Sequence, residues 1–245
     1  RIHGSVNPNG AVTGRATHSY PNVAQVPAGR SPYGKECRSL FTVPKGWFEA
    51  GIDASGLELR CFGSFLYPFD NGAYIKEILE GDIHTHNQKM AGLPTRDQAK
   101  TMIYCMLDGK LGAVINGTAK DGKALKERFF KAVPAYKKLC SSIEKALVES
   151  SEWIGNTQKV KWKKRVHPDC PTLNISHHIL GLDRRLVYVR SPHSALNTIL
   201  QSAGALICKK WVCLVEENMR KAGYKHGWDG DFAMMAWVHK FHCAR

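Results

Sequence analysis

Apolar and polar residues alternate along Phe48-Glu-Ala-Gly-Ile-Asp53, with Phe48, Ala50 and Ile52 on one side. A period of two predicts a half-buried strand that delivers a carboxylate at its end. After Ser55-Gly56 the period becomes helical, with Leu57, Leu59, Cys61, Phe62, Phe65 and Leu66. A short helix is expected over 73–79. Another is expected over 96–107, where Thr95 and Gln98 have the spacing of a capping box. Its core face reads Ala99, Met102, Ile103 and Met106. Arg96, Lys100 and Tyr104 fall at i, i+4 and i+8, drift by only about 80°, and so share the opposite face. A long helical stretch over 123–153 meets Pro134, which kinks it or splits it. Ser191-Pro192 reads as an N-cap with proline at N1, launching a helix to about Lys221 that Gly223 stops. Alternation returns over 231–245, with Phe232, Met234, Ala236 and Val238 on one side.

The remaining segments are less periodic. Residues 1–45 are rich in Gly, Pro, Asn and Ser and read as short strands and turns. Residues 154–190 are basic and loop-like, with strand patches at 159–162 and 186–189. No internal repeat is visible. Strands come first and last with helices between, an α+β layout. The two ends are expected to pair in one small antiparallel sheet, with the helical middle as a separate lobe.

Length and charge narrow the choices. At 245 residues the chain has room for one large core or two modest lobes. The formal net charge of +14 is spread along the chain, which suits a folded surface meeting a polyanion better than a disordered basic arm. No unbroken run of about 18 apolar residues occurs, so no membrane span is expected. No secretory signal is visible. The eight cysteines are irregularly spaced and read as reduced thiols of a cytosolic protein rather than a disulfide framework. Cys170, His167, His177 and His178 fit no common zinc spacing.

Two stretches carry the candidate chemistry. Asp53 at a strand end serves equally as a turn residue or an N-cap. Arg96, Lys100 and Tyr104 put two cations and an aromatic ring in a row, which suits phosphates and a stacked base but also describes a solvated basic face. Taken with Thr13-Gly-Arg-Ala-Thr-His18, Pro21-Asn-Val-Ala-Gln-Val-Pro27, Asp53-Ala-Ser-Gly-Leu-Glu-Leu-Arg60, Gly81-Asp-Ile-His84, Arg190-Ser-Pro-His193, Gln201-Ser-Ala-Gly204 and Trp237-Val-His239, these residues make the chain resemble the family A (Pol I-type) DNA polymerases, and within them the T-seven-type phage replicative branch. The resemblance covers nearly the whole chain.

The resemblance implies a palm, a small antiparallel sheet with helices, from 1–71 and 191–245, and mostly helical fingers from 72–190. It implies DNA-directed addition of dNMP to a primer 3′-hydroxyl, with two Mg²⁺ ions as cofactor. Asp53 would be a metal ligand, and Ala54 would add its carbonyl. Lys100 joins Asp53 as catalytic. Arg96, Lys100, Tyr104, Glu58 and His84 would hold the nucleotide, with Glu58 and Tyr104 leaving no room for a 2′-hydroxyl. Arg15, Gln25, His193, Gln201 and His239 would hold DNA, and Gln201 also suits a plain core hydrogen bond. The partners implied are primer–template DNA and dNTPs. A processivity factor would need regions outside this chain, which begins at Arg1 and reads as a fragment. The setting implied is the cytoplasm of an infected bacterial host.

Two departures from the family pattern stand out. The last motif should read Val-His-Asp-Glu, but Val238-His-Lys-Phe241 occurs instead. After Tyr104 a glycine-rich piece is replaced by Cys105-Met-Leu-Asp-Gly109. Weak or no catalysis is expected, with a binding remnant as the alternative. An RNA polymerase relative is a third, less favoured reading.

Overall fold

The structure is a computed structural model that describes residues 4–108, 117–149, 166–167, 170–174, 177–190, 194–237 and 241–244. Contacts group the chain into two compact units, one of 1–56 with 205–245 and one of 57–204.

The second unit holds the core. Helix α2 (Leu57–Asp70) buries Leu59, Cys61, Phe62 and Leu66, the stripe its period predicts. Asp70 accepts from the backbone N–H groups of Gly72 (2.9 Å) and Tyr74 (3.0 Å), turning the chain into α3 (Ala73–Glu80). Helix α4 (Ile83–Ala91) is capped by Asp82 and ends at Gly92, whose φ of +63° is the left-handed conformation glycine tolerates. Helix α5 (Arg96–Asp108) opens on the expected capping box. The Thr95 N–H donates to Gln98 Oε1 at 3.3 Å, and the Gln98 N–H donates to Thr95 Oγ1 at 3.2 Å. Ala99, Met102 and Ile103 are buried as read. The long helical stretch is split at Pro134 into α6 (Ala119–Ala132) and α7 (Pro134–Glu149). It starts earlier than its apolar period suggests, because Thr118 and Asp121 form a second capping box.

Aromatic rings knit these helices. Tyr136 of α7 meets Phe62 edge-on at 5.2 Å, Phe129 at 5.9 Å and Phe130 at 4.9 Å. The two buried polar side chains among the described residues, Asn87 and Ser202, are both satisfied. Asn87 exchanges hydrogen bonds with the Tyr74 hydroxyl, and Ser202 accepts from Arg185 at 2.9 Å.

The described part of the basic 154–190 stretch holds more strand than its sequence suggests. Strands β4 (Val166–His167) and β5 (Cys170–Asn174) pair, and β6 (His177–Leu180) pairs with β7 (Leu186–Val189). Val187 and Val189 face the core while Leu186 and Tyr188 face out. The patch read at 159–162, and Ser191, Pro192 and His193, lie outside the described residues. Helix α8 (Ala195–Lys221) follows, and Gly223 (φ +88°) ends it as predicted. Among the described residues, α8 is long and apolar enough to match a bilayer span. Scattered polar residues hide this from a search for an unbroken apolar run. Ala195, Leu196, Ile199, Leu200 and Ala203 lie in the core cluster, as in the core helix of a globular protein.

The first unit contains a hairpin of β1 (Ser5–Asn7) with β2 (Thr17–Ser19), a 3-10 turn at Val23–Gln25 and α1 (Gly34–Ser39). The two ends of the chain do pair. Strands β3 (Glu49–Ile52), β9 (Phe241–Ala244) and β8 (Ala233–Trp237) form one antiparallel sheet in that order, with Ile52 opposite Phe241. The half-buried strand read at 48–52 is a strand, but all of β3 is exposed. Alternation records an apolar face, and Phe48 and Ile52 have that face without a layer covering it.

Candidate functional site

In the first unit, Asp53 follows directly on β3 and is exposed, with Ala54 half-buried beside it. The sheet register places this end of β3 next to Phe241, the first residue of β9. Val238, His239 and Lys240, which connect β8 to β9, lie outside the described residues, so the expected DNA contact of His239 does too. Arg15, half-buried ahead of β2, and Asp53 both act on the Cys208 thiol of α8. Burial raises that thiol first, Arg15 pulls it down and Asp53 pushes it up. Arg15 and Asp53 therefore both lie within electrostatic reach of Cys208. Gln25 ends the 3-10 turn, exposed.

In the second unit four of the five nucleotide candidates lie on α4 and α5, and Glu58 lies on α2. Arg96 and Lys100 are exposed on the outer face of α5. Tyr104 belongs to the same helix, and its side chain lies outside the described residues. Glu58 sits half-buried in the first turn of α2. Gln201 donates to Asn197 Oδ1 at 3.1 Å, one helical turn away, which matches the plain hydrogen-bonding role.

Arg96 is not a bare cation. Its Nε donates to Asp82 Oδ2 at 2.7 Å and its Nη2 to Asp82 Oδ1 at 3.0 Å. Asp82 lies within Gly81-Asp-Ile-His84, and nothing in that local pattern signals this pairing. Asp82 also accepts from the backbone N–H of His84 (3.1 Å) and from the Thr85 hydroxyl (2.8 Å). Arg96 first, and Thr85 next, hold the Asp82 carboxyl well below the usual carboxylate range.

His84 sits in the first turn of α4, half-buried, with no hydrogen-bond partner for its enclosed Nδ1. Burial lowers its pKa most, Arg96 lowers it further, Asp82 works in the opposite sense and Lys100 lowers it again. His84 is therefore neutral near pH 7. A histidine-resolved NMR titration is expected to give a midpoint below the ordinary value of about 6.5. In Arg96→Ala that midpoint rises, because the cation is gone and Asp82 is left facing the ring. A midpoint unmoved by Arg96→Ala contradicts this electrostatic assignment. The sign carries into stability. The unfolded chain takes this proton more readily than the folded one, so stability falls as pH drops from the ordinary histidine value toward the depressed one.

Chemically, the cluster offers two cations and a neutral imidazole next to one bound carboxylate. That set suits an oxyanion with several acceptors, since arginine presents a planar fork and lysine a mobile point charge. Among the described residues no group of three or more His, Cys, Asp or Glu side chains gathers to hold a metal.

Comparison with known proteins gives the family and the fold. A profile of DNA polymerase family A matches residues 1–240. The chain is 55% identical to a DNA-directed DNA polymerase of Enterobacteria phage T3 and 56% identical to that of Escherichia phage T7, each over 98% of this chain and 34% of the relative. It is 31% identical to the thermostable DNA polymerase I of Thermus aquaticus, over 69% of this chain and 21% of that protein. Among solved structures, the POL domain of Pol1 from M. smegmatis, in complex with DNA primer-template and dNTP, superposes with a TM-score of 0.71 at 19% identity. That match covers 99% of this chain and 41% of the other. The chain thus spans about a third of the length of the phage relatives it matches.

Proposed function

The chain belongs to DNA polymerase family A, and from that membership we propose that it forms the palm and fingers of a phage-type DNA-directed DNA polymerase. In this reading residues 1–71 and 191–245 make the palm and 72–190 the fingers. The protein adds dNMP to a primer 3′-hydroxyl in phage DNA replication inside an infected bacterium. The observation that carries the reading is the row of Arg96 and Lys100 on the outer face of α5 beside His84.

Each residue has a physical task. Arg96 and Lys100 bind the outer phosphate oxygens and hold the triphosphate in line for attack. Lys100 also stabilises charge that develops on the leaving pyrophosphate. His84 adds a donor once the anion raises its proton affinity. Tyr104 faces the sugar and base, and Glu58 packs beside that sugar, which excludes a 2′-hydroxyl. Arg15, Gln25, His193, Gln201 and His239 grip the primer–template. Donors in the minor groove meet acceptors that every Watson–Crick pair presents, so they test pair geometry without reading sequence.

Magnesium fits in part. Asp53 offers a hard carboxylate oxygen at an exposed strand end, and Ala54 offers a carbonyl. One carboxylate with substrate phosphates is an ordinary Mg²⁺ environment. Lys240 stands where the family pattern has its second carboxylate, and a cation does not complete a two-ion clamp. A bound Mg²⁺ would neutralise the triphosphate, and no step here depends on a second ion. Turnover is accordingly expected to be weak.

Lys240 also favours the second reading, a remnant that binds primer–template and nucleotide without chemistry. Binding to duplex should weaken steeply with salt under both readings. Primer extension separates them. Template-dependent product supports the polymerase, and salt-sensitive duplex binding without product supports the remnant.

A further inference from the structure

Asp82 has no part in the reaction described above, yet it makes a bidentate ion pair with Arg96. Its two carboxylate oxygens cap α4 through the His84 and Thr85 backbone N–H groups (3.1 and 3.5 Å) and the Thr85 hydroxyl (2.8 Å). The same two oxygens take Nε and Nη2 of Arg96 in a bidentate fork at 2.7 and 3.0 Å. A guanidinium carries five N–H groups in one plane. The fork occupies one edge and leaves the Nη1 edge to another acceptor. Lys100 lies one helical turn further along the same face of α5.

We propose that Asp82 is a positioning residue for nucleotide binding, holding Arg96 by one edge so that the other is presented, beside Lys100, to the outer phosphates of a deoxynucleoside triphosphate. The inference rests on reading α5 as the triphosphate site. An exposed arginine with no such anchor must give up rotamer freedom when it binds, and one already held does not. Asp82 is itself fixed by the α4 backbone, so the orientation of Arg96 is set by a helix terminus rather than by a flexible side chain. The opposing possibility is that Asp82 occupies Arg96 in place of phosphate. The two differ in sign, because removing a positioning group weakens binding and removing a competitor tightens it.

The test is calorimetric titration of the 245-residue chain with Mg·dATP and with Mg·dAMP, in wild type, Asp82→Asn, Arg96→Ala and the double variant. Asparagine is as good an N-cap as aspartate, so α4 is kept while the charged fork is lost. Asp82→Asn should weaken dATP binding by roughly three- to tenfold, with dAMP affinity unchanged. The double variant should be no weaker than Arg96→Ala alone, because Asp82 acts through Arg96. Unchanged or tighter dATP binding in Asp82→Asn, alongside a clear loss in Arg96→Ala, overturns this inference and spares the site. Undiminished dATP binding in Arg96→Ala overturns the α5 site and this inference with it.

Discussion

Phe129→Ala should lower the unfolding free energy by about 3–5 kcal/mol, the usual cost of deleting a fully buried phenylalanine ring. Phe129 is 0% exposed on α6 and meets Tyr136 of α7 at 5.9 Å, while Tyr136 in turn meets Phe62 of α2 at 5.2 Å. The ring packs α6 on Tyr136, which is itself held by Phe62 of α2, so truncation leaves a cavity whose wall does not readily close. Phe130 is the internal comparison. It is only half-buried and lies under the Lys126 ammonium at 5.3 Å. Phe130→Ala should cost clearly less, because much of that site is already open to water. Urea unfolding of both variants checks the pair, and equal losses would contradict the packing described here.

Arg96→Ala and Lys100→Ala should each weaken dNTP binding by roughly tenfold to a hundredfold, the range of a lost charge-assisted contact to phosphate. The stability of the chain should barely move, because both side chains are exposed. Arg96→Lys should recover only part of the loss, since an ammonium cannot reproduce the planar fork that meets Asp82. Fluorescence titration with a dNTP at two salt concentrations would check this. Losses that appear equally for a neutral nucleoside would place the residues away from the phosphates.

Much of this was legible in the sequence where the signal is local. The start of α5 rests on Thr95 and Gln98, the break between α6 and α7 on Pro134, and the end of α8 on Gly223. Each is decided within a turn of chain. What involves a distant partner was not legible. Asp82 and Arg96 are 14 residues apart and meet only because α4 and α5 pack together. Nothing in the pattern of either residue announces the pair. That Cys208 feels the charges of both Arg15 and Asp53 is likewise a matter of tertiary placement. The alternation of β3 was correct about conformation and silent about covering, since a period of two records a face and not what lies on it. Strands β5 and β6 were missed because Cys170-Pro-Thr-Leu-Asn174 and His177-His-Ile-Leu180 mix polar residues and proline into short runs with weak strand character.

The most direct measurement is primer extension on a defined template with Mg²⁺ and dNTPs, with Asp53→Ala run beside the wild-type chain. The account predicts slow, template-dependent extension by the wild type and none by Asp53→Ala. Extension that proceeds equally in both proteins would contradict it, because Asp53 would then not be the carboxylate on which the chemistry depends.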